Sequence, residues 1–253
     1  MTSRPSSTAD LATPHQVVSH EEWLVARKQL LAEEKEFTRL RDRLTQRRRD
    51  LPWEAVNKEY VFEGPNGRQT LADLFDGRSQ LIVYHAMFDP AAASPSSTWT
   101  RDAACHGCSF WADNFNGIIV HLNHRDVTMV AVSRAPYSKI AAYSKRMGWT
   151  FPWLSSGNTD FNFDYKVSFT AKEIAEKKVD YNYTIQDKRL SELPGLSVFA
   201  KDAAGKIFHT YSAYARGIDL MNTAYNYLDV VPKGRDEGNR GPFWVRRHDE
   251  YEG

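Results

Sequence analysis

Two short apolar runs, each followed by a helical segment, constrain the fold of this chain most strongly. Leu81–Tyr84 and Val127–Val132 are short and almost wholly apolar, which is typical of strands buried on both faces of a sheet. We predict helices from about Cys108 to Leu122 and from Ser138 to Met147. Because strands that alternate with helices form βαβ units, we expect an α/β fold with a parallel sheet flanked by helices.

The C-terminal half adds antiparallel pairing to this sheet. Leu196–Ala200 and Lys206–Tyr211 flank a turn at Asp202–Gly205, a pattern that predicts a hairpin and therefore a mixed sheet. We expect a closing helix from Gly217 to Leu228. Residues 157–190 are aromatic and polar without clean periodicity, so we predict an irregular insertion there.

The N-terminal part has a different pattern. Ser19 and Glu22 have the spacing of a capping box and begin a predicted amphipathic helix. Its apolar face consists of Trp23, Leu24, Leu30, Leu31, Phe37 and Leu44. Such a face must be covered, and we expect the same helix of a second copy to cover it in a homodimer. The predicted segments are a flexible arm (1–18), the amphipathic helix (19–50), the α/β domain with its insertion (51–231) and a C-terminal tail (232–253).

The composition argues against several classes of partner. The 33 lysines and arginines nearly balance the 32 aspartates and glutamates, so no excess charge attracts nucleic acid or an anionic membrane. No apolar run is long enough to cross a bilayer, and the N-terminus lacks the apolar segment of a secretory signal. We therefore expect a cytoplasmic protein, in which two cysteines do not usually form a permanent disulfide.

The only two cysteines, Cys105 and Cys108, carry the clearest chemical signal. Random placement of two cysteines in a chain of this length gives that spacing in roughly one case in a hundred. The pair also lies between a buried strand and a predicted helix, whose free amides favour the nucleophilic thiolate. We predict a redox-active dithiol. Two inert, reduced core cysteines are the alternative.

The positions of the two thiols predict their roles. Cys105 precedes the helix, so we expect it to be the more exposed, attacking thiol, and Cys108 to be the buried resolving thiol. His106 lies between them, and a protonated imidazole there would stabilise the Cys105 thiolate further.

Longer motifs extend this interpretation to nearly the whole chain. They are Val83–Phe88, Cys105–Asp113, Val132–Pro136, Arg146–Trp149, Phe151–Trp153, Leu193–Phe199, His209–Ser212, Tyr214–Gly217 and Pro232–Glu237. Together they resemble a largely uncharacterised bacterial family of predicted thioredoxin-like dithiol-disulfide oxidoreductases, related to the alkyl hydroperoxide reductase and peroxiredoxin fold.

The resemblance implies a thioredoxin-like fold of the peroxiredoxin type. It implies that Cys105 and Cys108 are the redox pair and that Pro194 is a cis-proline facing them. His106 departs from the family, which usually has proline at that position. The proline and threonine that usually precede the reactive cysteine of peroxiredoxins are also missing here, since Arg101 and Cys105 occupy those places.

A metal site is an alternative use of the same cysteines. His85 follows the strand that leads to the pair, and His209 lies on the predicted hairpin after Pro194. With Cys105 and Cys108 they would make a Cys2His2 set suited to zinc or copper. A packed or hydrogen-bonded histidine is the alternative for each of the two.

The sequence therefore leaves three functions open. The first is a thiol-disulfide oxidoreductase that needs no cofactor and acts on a small-molecule or protein thiol or disulfide. The second is a copper- or zinc-binding protein, for metal handling or metal-dependent oxidation. The third is a noncatalytic interaction protein that dimerises through its N-terminal helix. We find no glycine-rich nucleotide motif, and Arg134 or Arg216 could contact a bound peroxide or carboxylate instead of forming a surface ion pair.

Overall fold

The computed structural model describes residues 15–94 and 97–252. Most of the predicted arm, residues 1–14, lies outside the described residues, and residues 15–19 have no regular structure. The chain divides into two compact units, one ending at Leu51 and including Asn226–Asp236, the other comprising Pro52–Tyr225 and the residues from Glu237 onward. The division predicted from the sequence, at residues 50 and 231, stays a prediction.

The described elements are short except for the first helix. The helices are α1 (His20–Arg49), α2 (His106–Ala112), α3 (Ile119–Asn123), α4 (Tyr137–Arg146), α5 (Phe161–Asp164), α6 (Ala171–Ala175) and α7 (Thr223–Leu228). The strands are β1 (Glu54–Ala55), β2 (Val61–Gly64), β3 (Gly67–Thr70), β4 (Gln80–His85), β5 (Val127–Ser133), β6 (Trp153–Ser155), β7 (Val179–Tyr181), β8 (Thr184–Gln186), β9 (Gly195–Lys201) and β10 (Ile207–Tyr214). Single 3-10 turns or short 3-10 helices occupy Asp73–Phe75, Pro90–Ala92, Ala215–Met221 and His248–Glu250.

One mixed sheet organises the larger unit. Within the described residues its strand order is β1-β10-β9-β4-β5-β6-β2-β3. Strands β4 and β5 are parallel, with His85 opposite Val132, while β9 runs antiparallel to β4 and to β10. The central order β10-β9-β4-β5, with helices between β4 and β5, is that of a thioredoxin-like fold. The predicted fold class is confirmed.

The alternation of side chains along β4 divides the core into two layers. Leu81 and Val83 point to one face, where they pack with Phe62, Phe161 and Phe199 in a fully buried cluster. Tyr84 points to the other face and packs edge-to-face on Phe115, with ring centroids 5.2 Å apart. Both faces of this strand are therefore covered, which explains its uninterrupted apolar sequence.

Two predicted helices are broken in the structure. The helix expected from Cys108 to Leu122 is divided into α2 and α3, because the Asn114 side-chain amide donates to the carbonyls of Phe110 and Trp111 and ends α2 there. The closing helix is likewise divided into the 3-10 segment Ala215–Met221 and α7.

The stretch 157–190, predicted to be irregular, contains regular elements. Helices α5 and α6 lie within it, and β7 and β8 pair as a separate two-stranded sheet. Each of these elements has only three to five residues, which is too short to show a periodicity in the sequence.

The long helix α1 belongs to the smaller unit. The predicted capping box is present, since Ser19 accepts from the Glu22 amide and Glu22 accepts from the Ser19 amide. The helix has no buried residue, and the exposed fraction is 52% for Trp23 and 66% for Phe37. No helix in the described part of the chain has the length and apolar character that crossing a membrane requires.

Candidate functional site

The two cysteines lie at the carboxyl end of β4. Cys105 is the residue before α2, and Cys108 lies in the first turn of that helix. The backbone of Met87, just beyond β4, contacts both: its carbonyl accepts from the Cys105 amide at 3.0 Å, and its amide donates to Cys108 Sγ at 3.2 Å. The end of a central strand therefore holds the dithiol in place.

The hydrogen bonds around the pair distinguish its two sulfurs. Both cysteines are free thiols. A hydrogen bond from the Cys108 thiol lowers the pKa of Cys105, and the Thr98 hydroxyl, which donates to Cys105 Sγ at 3.0 Å, lowers this pKa further. The amides of Cys108 and Gly107 act in the same direction, against the effect of burial. Burial, followed by the neighbouring Cys105, raises the pKa of Cys108.

Cys105 is not the exposed thiol that its position predicts. Its exposed fraction is 5%, against 3% for Cys108. The Thr98 hydroxyl contacts its sulfur, and the next residue, Trp99, is buried and donates from its indole to the Asp89 carbonyl at 2.9 Å. Cys105 is only slightly more exposed than Cys108, and both thiols are buried, because the loop just before Cys105 contacts its sulfur.

The contacts of His106 exclude the role expected for it. Arg247 Nη1 donates to His106 Nε2 at 2.9 Å, so that nitrogen carries no proton. Burial lowers the pKa of His106, the charge of Arg247 lowers it further, and Glu250 only partly opposes them. A protonated imidazole that stabilises the Cys105 thiolate is therefore wrong, because a permanent cation already occupies its hydrogen-bonding position.

Arg247 is a residue of the site that the sequence did not indicate. Its guanidinium is buried, and its Nε and Nη2 donate to the carbonyl of Ala104, the residue before Cys105, at 3.0 and 2.6 Å. Nη1 also donates to Glu250 at 2.9 Å. Neither Arg247 nor Thr98 belongs to a motif with recognisable spacing, and only the folded chain brings them to the cysteines.

Pro194 lies at the same end of the sheet as the cysteines. The next residue, Gly195, is opposite His85, and the Pro194 carbonyl accepts from the Tyr181 hydroxyl at 2.7 Å. The peptide bond before Pro194 is trans, since the described residues contain no cis peptide. The expected cis-proline is therefore wrong, while the expected position at the start of an apolar strand is observed.

The two histidines of the alternative metal site bind to serines. His85 Nε2 is 2.9 Å from Ser197 Oγ, Ser197 Oγ is 3.0 Å from Ser212 Oγ, and Ser212 Oγ is 2.8 Å from His209 Nε2. A polar chain thus runs across β4, β9 and β10. Burial lowers the pKa of His85 to about 3, so its imidazole is neutral within the core.

The strand separates these histidines from the cysteines. His85 stacks on Phe161, with centroids 5.5 Å apart, on the face opposite to Tyr84. Burial raises the pKa of Tyr84, and the neighbouring Cys108 raises it further, which places Cys108 on the Tyr84 side of the strand. Within the described residues, no group of three or more metal-binding side chains forms a site. The predicted Cys2His2 set is therefore wrong.

The fold and the site permit a comparison with known proteins. Residues 12–251 match the model of a family described as "Bacterial protein of unknown function (DUF899)". The chain belongs to this family. The DUF899 match includes the cysteine pair, Thr98 and Arg247, and it confirms the family resemblance stated from the motifs. A comparison with curated proteins found no match.

Solved structures similar to this DUF899 protein include peroxiredoxins. Peroxidoxin BcpB from Mycobacterium tuberculosis is 14% identical, with a TM-score of 0.43 over 68% of this chain and 94% of that one. Peroxiredoxin Q from Xanthomonas campestris is 14% identical, with a TM-score of 0.45 over 73% and 99%. The mitochondrial 2-Cys peroxiredoxin from Plasmodium falciparum is 14% identical, with a TM-score of 0.38 over 74% and 95%. The assignment of the thioredoxin-like fold rests on the strand order and register.

Proposed function

We propose that this protein is a thiol-disulfide oxidoreductase that acts through Cys105 and Cys108. The observation that carries the proposal is the difference between the two thiols. Hydrogen bonds from Cys108, Thr98 and two amides stabilise Cys105 as a thiolate, while burial keeps Cys108 protonated. A nucleophile beside a resolving thiol is the arrangement that disulfide exchange requires.

The proposed reaction has two exchange steps. The Cys105 thiolate attacks a substrate disulfide, which forms a mixed disulfide and releases one substrate sulfur as a thiolate that takes up a proton. Cys108 then loses its proton and attacks Cys105 Sγ, which releases the second substrate sulfur. The substrate disulfide is reduced by two electrons, the protein is left with an intramolecular disulfide, and an external dithiol restores it. The same steps can run in reverse. The protein disulfide then oxidises a substrate dithiol, and an external oxidant restores the Cys105–Cys108 disulfide.

Redox titration of the full-length chain tests this proposal. Oxidised protein should contain one intramolecular Cys105–Cys108 disulfide, detected by peptide mass mapping, and a dithiol reductant should restore both thiols. Protein that stays reduced under oxidants, or that forms only disulfides between chains, would contradict the proposal. We propose that this chemistry takes place in the cytoplasm, where thiols are ordinarily kept reduced.

We also propose that the protein forms a homodimer through α1. The apolar face of this helix is exposed, as the fractions for Trp23 and Phe37 show. Apolar surface repeated every seven residues along a 30-residue helix suits an equivalent helix of a second copy. This proposal also supports an interaction role for the helix, independent of the redox chemistry.

A further inference from the structure

A cavity of about 730 Å³ lies at the edge of the sheet where three strands end. Asp89 follows β4, Arg134 comes directly after β5, and Ser155 is the last residue of β6. The polar side chains that line the cavity are those of Glu63, Asp89, Arg101, Arg134, Lys139 and Asn158. Open α/β sheets bind their ligands beyond the carboxyl ends of the strands, and this volume suits a small molecule.

Arg134 is held in this cavity without a hydrogen-bond acceptor. Its guanidinium lies over the Phe163 ring, with Cζ 4.6 Å from the centroid. The nearest carboxylate oxygen, of Asp89, is 3.8 Å from Nε, and the buried Nε has no hydrogen-bond partner. Within residues 15–94 and 97–252 no oxygen accepts from this guanidinium. The Arg134 side chain is 27% exposed, so a ligand in the cavity can reach the guanidinium, and an acceptor on that ligand would pair the buried Nε.

Within the described chain, two cations that line the cavity, Arg101 and Arg134, form no hydrogen bond to an acid. Lys139 pairs with Asp102, and Glu63 accepts from the Asn158 amide at 2.9 Å. Arg101 is exposed and forms no ion pair within the described chain. Asp89 is the one acid near Arg134 that lines the cavity, and it already accepts from the Ala91 amide at 3.1 Å.

The buried Glu192 does not neutralise the charge of Arg134. It is buried, with an exposed fraction of 2%, and its Oε2 has no partner among the described residues. Burial, followed by the charge of Asp89, raises the pKa of Glu192 to about 8, although Arg134 opposes this. The carboxyl group is therefore mostly protonated at neutral pH, and Arg134 retains the capacity to bind a further anion.

We propose that this cavity binds a small organic molecule through its carboxylate group, with Arg134 as the bidentate partner. A planar guanidinium fixed by ring stacking matches the two oxygens of a carboxylate. Arg101 supplies a second cation from the same loop that carries Thr98 to Cys105. The ligand would therefore occupy a site next to this loop, and its binding does not require the thiol chemistry.

Calorimetric titration of the full-length protein at neutral pH and low salt tests this proposal. The probes are benzoate and succinate, with benzamide and inorganic phosphate as comparisons. Saturable binding of either organic acid, one per chain, with no binding of benzamide, is the expected result. Equal binding of benzamide, stronger binding of phosphate, or no saturable binding of either acid would overturn the proposal.

Variants assign the binding to Arg134. Arg134→Gln should weaken binding of the organic acid about tenfold or more, since the charge-assisted pair is lost. Arg216→Gln is the control, because Arg216 is exposed and pairs with Asp219 at 3.1 Å. If Arg134→Gln does not fold, Arg101→Gln should still weaken binding. Equal affinities of both cavity variants and the Arg216→Gln control would overturn the assignment of the binding to Arg134.

Discussion

Arg247 donates two hydrogen bonds, from Nε and Nη2, to the carbonyl of Ala104 and so binds the residue that precedes Cys105. The same guanidinium donates a hydrogen bond from Nη1 to His106 Nε2. One buried cation therefore binds the residue before the nucleophile and, after burial, lowers the pKa of the neighbouring His106 imidazole further. The residues from Glu237 onward thereby contribute to the site through direct contacts.

Removal of Arg247 should affect both stability and His106. Arg247→Met leaves the Ala104 carbonyl without its donors, so we expect a loss of about 2 kcal/mol in the free energy of unfolding, measured with urea. The pKa of His106, followed by NMR, should rise because a neighbouring cation is gone. Arg68→Met, at an exposed position of β3, should change neither quantity. An unchanged His106 pKa in Arg247→Met would contradict the contact.

Single-cysteine variants should identify the attacking thiol. Cys108→Ser should accumulate mixed disulfides with a disulfide probe, since the thiol that releases the substrate is missing. Cys105→Ser should not, because the raised pKa of Cys108 disfavours the attacking thiolate, whereas the pKa of Cys105 is lowered. Mass spectrometry of the adducts after acid quenching measures both. Equal trapping by the two variants would show that the roles assigned from the hydrogen bonds are wrong.

The pH dependence of alkylation should show the effect of Thr98. Because the pKa of Cys105 is lowered, its thiolate persists below the usual thiol range and is lost only as the pH falls through the lowered value. Thr98→Val removes a donor to the thiolate, so the midpoint of the iodoacetamide rate profile should move to higher pH. Thr100→Val, in the same loop, is the matched control. If the pH midpoint of alkylation is the same in the native chain and in both variants, the Thr98 hydroxyl does not stabilise the Cys105 thiolate.

Glu192 should make stability depend on pH. Its pKa is raised from 4.5 to about 8, so the folded chain holds a proton that the unfolded chain releases. The contribution of this proton to the free energy of unfolding is fully present below pH 4.5. It is lost as the pH rises towards 8, at about 1.4 kcal/mol per pH unit. Glu192→Gln should remove this slope from urea denaturation curves, while the exposed Glu59→Gln should keep it. If the free energy of unfolding depends on pH in the same way for the native and Glu192→Gln chains, the raised pKa of Glu192 is wrong.

The oligomeric state should depend on the exposed face of α1. Full-length protein should scatter light as a dimer, and Phe37→Glu should shift it to a monomer, because a charge replaces apolar surface that is exposed in the single chain. Lys35→Glu, on the same helix, is the control for added negative charge. A monomeric native chain at micromolar concentration would refute the proposed dimer.

Much of the fold could be predicted because its signals are local. The uniform apolar runs of β4 and β5 predict buried parallel strands, and Ser19 with Glu22 predicts the start of α1. The division of the predicted helix after Cys108 could not be predicted, since it depends on hydrogen bonds from the Asn114 side chain to the carbonyls of Phe110 and Trp111. The elements between residues 157 and 190 were likewise too short to predict.

The site divides in the same way. The sequence by itself determined that a dithiol follows a central strand, because both the spacing of Cys105 and Cys108 and the strand before them are local properties. Only the tertiary structure decided that Thr98 donates to Cys105 Sγ, that Arg247 contacts His106, and that His85 lies on the face of the sheet opposite to Tyr84. Arg247 and His106 lie far apart in sequence, and only the packing of the chain brings them together. Thr98 lies seven residues before Cys105, but its hydroxyl reaches the sulfur only through the fold of the loop, which no local pattern of residues records.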